Sequence, residues 1–296
     1  MNSKSKIIKF AAMTIHEATF SLLKKLRSVY TEGEADQITD WVMENLTGSR
    51  KAERMLYKNS SLTPEEESRL NQYTERLLHH EPVQYVLGEA WFAGMKFRVN
   101  KSVLIPRPET EELVAWVIDD CKLSVACLTI LDIGTGSGCI PVAIKKKLPH
   151  VSISAIDVCS EALFTATENA MALETAIDFR LLDFLDEEKW KELGMYDIIV
   201  SNPPYVRQQE KQNMHERVSG HEPHLALFVP DDDALLFYRK LADFSSVHLN
   251  RSGKLFVEIN ESFGTEVVNL FQSKGFSNIE LRKDMQGKDR MVRAGK

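Results

Sequence analysis

From about residue 109 onward, short strand-like runs alternate with segments of helical periodicity, at 128–133, 153–156, 179–182, 197–200, 254–259 and 279–282. Strands buried on both faces read as continuous apolar runs, and strands in series with helices form a mostly parallel sheet covered on both sides. The pattern predicts a doubly wound α/β domain, a class that binds ligands at the C-terminal ends of its strands. No internal repeat or low-complexity tract interrupts it.

The first run leads into Asp132-Ile133-Gly134-Thr135-Gly136-Ser137-Gly138. Glycines let the backbone turn sharply and approach a ligand closely. They stand at 134, 136 and 138, whereas a dinucleotide site places its third glycine one position later, where Cys139 stands. A dinucleotide brings a pyrophosphate to the following helix. S-adenosyl-L-methionine carries no phosphate, and a loop of Gly134, Thr135, Gly136, Ser137 and Gly138 need only accommodate its amino-acid and ribose portions. Asp157 ends the second run, 19 residues after Gly138, where a carboxylate can accept hydrogen bonds from both ribose hydroxyls. The alternative is a turn that merely ends a strand. Phe184, after the third run and next to Asp183, is placed either to stack on adenine or to pack in the core.

The fourth run ends in Asn202-Pro203-Pro204-Tyr205. Two prolines stiffen the segment and remove two N–H donors, so local carbonyls are left free to accept from a ligand. An amide or aromatic amine nitrogen is a poor nucleophile because its lone pair is delocalised. The Asn202 side-chain oxygen and the Pro203 carbonyl can accept its two N–H bonds, aim the lone pair at a sulfonium methyl and stabilise charge developing on nitrogen. Tyr205 can pack on the planar group. This chemistry requires no metal and no strong base.

Upstream the period differs. Thr14-Ile15-His16-Glu17, Thr31-Glu32-Gly33-Glu34 and Thr63-Pro64-Glu65-Glu66 are helix-start signals, with Glu at the third position and, in the last, Pro at the first. Ala35, Ile38, Val42 and Leu46 recur at helical spacing, which predicts a small helical bundle. Around Gly94 the pattern alternates from Trp91 through Val99, with a further run at 103–105, and reads as a β-hairpin. Pro106 and Pro108 stiffen the chain after it. The expected domains are 1–85, helical and substrate-recognising; 86–108, a hairpin linker; and 109–296, catalytic.

Net charge is −6; the first 88 residues hold 12 basic and 12 acidic residues, the remainder 25 and 31. A protein gripping long nucleic acid shows a basic surplus, so no stable nucleic-acid binding is expected. No apolar run approaches the roughly 18 to 20 residues that span a bilayer. The N-terminal Lys4, Lys6 and Lys9 precede only a short apolar patch at 10–13, too short for a signal peptide. Cys121, Cys127, Cys139 and Cys159 form no CxxC pair and suit a reducing compartment. A cytoplasmic monomer is expected.

The tetrapeptide with this glycine loop occurs in methyltransferases acting on planar nitrogens of DNA adenine, RNA guanine or protein glutamine. The segments Pro82-Val83-Gln84-Tyr85-Val86-Leu87-Gly88, Phe92, Gly94, Phe97 and Val103-Leu104-Ile105-Pro106-Arg107-Pro108-Glu109-Thr110-Glu111 resemble the peptide chain release factor glutamine methyltransferases. Glu222-Pro223, Ala226-Leu227 and Gly287-Lys288-Asp289-Arg290 agree. The resemblance is strong from about residue 80 and only architectural before it. It implies a helical N-terminal domain, a hairpin linker and a class I, Rossmann-like methyltransferase domain with seven strands. It also implies S-adenosyl-L-methionine as cofactor, held by Gly134 through Gly138, Asp157, Phe184 and Asn202. It places the substrate, the glutamine of a Gly-Gly-Gln motif methylated at N5, against Asn202, Pro203, Pro204 and Tyr205. Cys159-Ser160 and Asn260 depart from the family pattern outside the proposed chemistry.

His215, His221 and His224 lack the i, i+4 spacing of a helical metal site and read as a polar loop, so no metal is expected. His79-His80 reads as a helix end, and Glu65-Glu66-Glu67 as a first helical turn favoured by the dipole. Three other readings fit less well. A nucleic-acid amino-methyltransferase would need a basic groove; a non-catalytic nucleotide sensor would not need the tetrapeptide; an NAD-linked oxidoreductase is disfavoured by the glycine spacing.

Overall fold

The computed structural model describes residues 12–122, 127–213 and 216–296, so His215 and the first lysines lie outside the described residues. The chain forms two compact units, Met1–Leu87 and Gly88–Lys296.

The first unit is helical: α1 Ile15–Leu26, α2 Glu32–Thr47, α3 Lys51–Leu56, α4 Pro64–Leu78 and α5 Val83–Leu87. Thr14, Thr31 and Thr63 each close a capping box with the Glu three residues on, and Pro64 opens α4. Each box satisfies two of the amide groups that a helix start leaves without intrahelical partners. Leu22 and Leu26 of α1, Val42 and Met43 of α2 and Leu77 of α4 bury the shared apolar faces. His79 caps the C-terminus of α4, as expected.

The second unit opens with a hairpin, β1 Glu89–Phe92 and β2 Met95–Arg98, turning through Ala93 and Gly94, both at positive φ. Strand pairing ends at Arg98, and the expected strand run at 103–105 is not part of a strand. Val103 and Ile105 are apolar because they are buried as single anchors. Pro108 occupies the first turn of α6, Pro108–Cys121, where its missing N–H has no intrahelical partner to lose.

The main sheet follows: β3 Thr129–Ile133, β4 Ser152–Asp157, β5 Asp178–Leu181 and β6 Tyr196–Ser201. Two short strands, β7 Val206–Arg207 and β8 Phe228–Val229, pair apart from it. β9 Leu249–Glu258, β10 Ser277–Lys283 and β11 Asp289–Gly295 complete it. Its order is β10-β11-β9-β6-β3-β4-β5, parallel from β5 to β9, with β11 antiparallel to both neighbours. Helices α7 Cys139–Lys147, α8 Ser160–Ala172, α9 Glu216–Ser219, α10 His224–Leu227, α11 Leu236–His248 and α12 Gly264–Ser273 lie between strands. Successive strand residues face opposite ways. Ile130, Ile198 and Phe256 therefore pack with α6 and α7, and Leu131, Ile199 and Leu255 pack with α11 and α12. The hairpin's Phe92 and Phe97 belong to the first of these cores.

Candidate active site

β3 and β6 are neighbours in register, Ile133 opposite Ser201, and the Ser201 hydroxyl donates to the Ile133 carbonyl at 2.7 Å. The next residues are Gly134 and Asn202. The glycine loop and the tetrapeptide thus leave the sheet side by side, on strands about 4.8 Å apart.

Gly134, Gly136 and Gly138 have φ of 76°, 54° and 77°, which is the conformational reason for all three. At Gly138 an added Cβ would lie 3.0 Å from the Ala166 Cβ, so glycine there also lets α7 start against α8. The Gly134 and Thr135 N–H groups donate to the Ile156 carbonyl, each at 3.0 Å. The Gly136 N–H donates to Asp157 Oδ2 at 2.8 Å, and the Cys159 N–H to Oδ1 at 2.9 Å. Asp157 therefore also braces the glycine loop. Burial pushes its carboxyl up, opposed by the Cys159, Gly136 and Val158 amides.

Asp132, at the root of this loop, is 0% exposed, and no described residue donates a normal hydrogen bond to either of its oxygens. The buried Thr135 and Ser137 hydroxyls make no normal hydrogen bond either. Burial pushes the Asp132 carboxyl from the ordinary 3.8 up to about 7, with the nearby Thr135 hydroxyl partly opposing. A buried, uncompensated carboxylate is costly unless a cation reaches it. It suits a cofactor carrying ammonium and sulfonium charges and repels a pyrophosphate.

Phe184 is 5% exposed. Its ring stacks on Trp190 with centroids 5.6 Å apart and meets Phe244 edge-on at 5.5 Å. The core-packing alternative describes its ring.

The Asn202 amide Nδ2 donates to Thr110 Oγ1 at 3.0 Å. Thr110 Oγ1 donates to Glu258 Oε2 at 2.6 Å, and the Tyr205 hydroxyl donates to Glu258 Oε1 at 3.0 Å. Asn202 Oδ1 accepts from no described residue. Pro203 is buried, while Pro204 and Tyr205 are half-buried. Asn260 Nδ2 donates to the Tyr205 carbonyl at 3.3 Å, so this departure from the family pattern braces the tetrapeptide.

A model described as "Methyltransferase small domain" matches residues 121–225, and one described as "PrmC N-terminal domain" matches residues 21–88. The release factor glutamine methyltransferase of Flavobacterium psychrophilum is 41% identical over 283 residues, covering 95% of this chain and 99% of that one. The namesake from Bacteroides thetaiotaomicron is 36% identical over 282 residues, covering 95% and 100%. The chain belongs to the release factor glutamine methyltransferase family. A solved protein-(glutamine-N5) methyltransferase (release factor-specific) from Alicyclobacillus acidocaldarius is 28% identical, covers 68% of this chain and 99% of that one, and superposes with a TM-score of 0.42.

As a release factor glutamine methyltransferase family member, the chain uses more residues around the site than its motifs display. Asp132, Thr110 and Glu258 were not singled out in the sequence. The signal for two of them is an acid near the end of a mostly apolar run, Asp132 in 128–133 and Glu258 in 254–259. Glu222, 3% exposed, accepts from Arg107 Nη2 at 2.5 Å and from the Ile105 N–H at 3.4 Å. It ties the segment after the tetrapeptide to the start of α6. Among the described residues no His, Cys, Asp and Glu group could hold a metal. His224 Nε2 instead lies 3.1 Å from the Ser219 carbonyl.

Proposed function

We infer that this enzyme of the release factor glutamine methyltransferase family moves a methyl group from S-adenosyl-L-methionine to the N5 side-chain nitrogen of the glutamine in a release factor's Gly-Gly-Gln motif. The relatives' names give the reaction class. The observation that carries the site assignment is the Asn202 amide, fixed through Thr110 and Glu258 with its oxygen unpaired beside the glycine loop. Gly134, Thr135, Gly136, Ser137, Gly138 and Asp157 hold the cofactor, with Asp132 opposite its positive charge and Phe184 behind. The cofactor supplies an electrophilic methyl on sulfur.

Asn202 Oδ1 and the Pro203 carbonyl accept the two N–H bonds of the substrate amide. That pairing turns the nitrogen lone pair toward the methyl and stabilises the charge that grows on nitrogen. Tyr205, its hydroxyl held by Glu258, and Pro204 flank the amide plane. The N–C bond forms as the S–C bond breaks, and the nitrogen then sheds one proton to solvent.

The balanced charge of the first 88 residues and the acidic excess beyond them support a protein substrate rather than a nucleic acid. The helical unit supplies a second contact surface, because a Gly-Gly-Gln loop buries little area. No helix among the described residues is long and apolar enough to cross a membrane, and a release factor substrate places the reaction in the cytoplasm.

Asn202→Ala is expected to lower single-turnover methylation of release factor by at least roughly 100-fold, comparable to loss of one oxyanion-hole donor, with a much smaller effect on cofactor affinity. Mass spectrometry of the Gly-Gly-Gln peptide reads the methyl. Near-normal turnover would remove Asn202 from the chemistry.

A further inference from the structure

Asn202 is one end of a buried chain of hydrogen bonds that runs from the end of β6 to α6 and on to the last residue of β9. A side-chain amide can turn over about its final bond and present either oxygen or NH2. Only the oxygen suits a substrate amide that offers two N–H donors; the NH2 would set donor against donor. The orientation therefore has to be imposed from behind.

The chain imposes it by counting protons. Glu258 is 1% exposed, and an ionised carboxylate only accepts. Its two oxygens take the Thr110 and Tyr205 hydroxyl protons. Thr110 has one proton, committed to Glu258 at 2.6 Å, so towards Asn202 its oxygen can only accept. The group facing it at 3.0 Å must then be the Asn202 NH2, and Oδ1 points the other way. We propose that Thr110 and Glu258 are positioning residues that set the Asn202 amide oxygen toward the substrate, with Tyr205 aligned by the same carboxylate. This rests on the assignment of Asn202 to the substrate amide.

The device has a titratable end. Protonated Glu258 can donate to Thr110, which can then donate to Asn202, and the amide is free to turn over. Burial raises the Glu258 carboxyl, with Glu109 of α6 adding to it. The hydroxyls of Thr110 and Tyr205 and the charge of Arg290 on β11 oppose it. Tyr238 of α11 meets only the Glu258 backbone carbonyl, at 3.4 Å. Turnover should therefore fall on the acid side, as the ionised form is lost.

The test compares the full chain with Thr110→Val, which keeps shape and removes the hydroxyl, Thr110→Ser, which restores it, and Asn202→Ala. Thr110→Val is expected to lower kcat at least about tenfold, the scale of one lost hydrogen bond to a charged network, with release factor KM and cofactor Kd within about twofold. Thr110→Ser should recover most of the loss, and the acid-side fall seen in wild type should be absent from Thr110→Val. Unchanged kcat in Thr110→Val, an unaltered acid limb, a parallel loss of cofactor affinity, or no recovery in Thr110→Ser overturns the proposal. Asn202→Ala separates the two ideas. If it abolishes turnover while Thr110→Val is normal, only the positioning role fails; if it is itself active, the assignment of Asn202 fails.

Discussion

The proposed cofactor role of Asp132 sets cofactor binding against stability within a single side chain. Its carboxyl is raised from 3.8 to about 7, so the folded protein resists ionising it while the unfolded chain does not. Cofactor-free stability should fall as pH rises from the ordinary aspartate range to about 7 and stay level above, because the unfolded state loses that proton first. Asp132→Asn should therefore melt higher than wild type at about pH 8 and no higher at about pH 4, while binding cofactor more weakly. Melting curves across pH with calorimetry check both halves, and tight binding by the variant would refute the assignment. Asp157→Ala should weaken cofactor binding by about 1–3 kcal/mol. Part of that loss comes from the Gly136 N–H, which loses its acceptor. The two proposed acceptors, Asn202 Oδ1 and the Pro203 carbonyl, also limit the product. A methylated amide has one N–H left, so a second round leaves one acceptor unpaired at a cost of about 1–3 kcal/mol. Mass spectrometry after long incubation should show one methyl per glutamine and no second.

The start of α7 depends on how closely α8 approaches it. Gly134→Ala forces an L-residue to positive φ in open space, a cost of roughly 1–2 kcal/mol. Gly138→Ala adds contacts of 3.0 Å to the Ala166 Cβ and 3.2 Å to its Cα, and should destabilise more, measured as the difference in denaturant midpoints. Equal losses would mean that the two helices can part without penalty. The same elements divide into those legible in the sequence and those not. The capping boxes at Thr14, Thr31 and Thr63 were legible because their partners lie three residues away. The glycine loop and the tetrapeptide are contiguous, and Asp157 stands at the next strand end. β11 was missed because Arg290 and Arg293 interrupt its apolar pattern. Arg293 pairs with Asp120 of α6 at 3.0 Å and Glu280 of β10 at 2.7 Å, partners that only the fold brings near. Thr110 lies inside a recognisable motif that gives it no role. Its bonds to Asn202 and Glu258 span 92 and 148 residues, and no local pattern encodes them.

At the scale of the whole chain, the proposed division of labour predicts a separation of two activities. A chain beginning at Gly88 should still bind S-adenosyl-L-methionine and methylate a free Gly-Gly-Gln peptide about as well as the full chain does. Its activity on an intact release factor should fall toward the peptide level. The ratio of kcat/KM for release factor over peptide, in both chains, decides this. If the ratio survives, recognition lies in the second unit, with the 206–230 segment tied to α6 by Glu222 and Arg107 the first place to look. Each apolar core lies wholly inside one unit: Leu22, Val42 and Leu77 in the first, Ile130, Leu131 and Phe256 in the second. Heat capacity should therefore show two absorption peaks rather than one. A molecule that binds only one folded unit raises only that unit's melting temperature. Saturating cofactor should thus move one peak upward and leave the other where it was, and the stationary peak would be the melting of the helices that close on Thr14, Thr31 and Thr63.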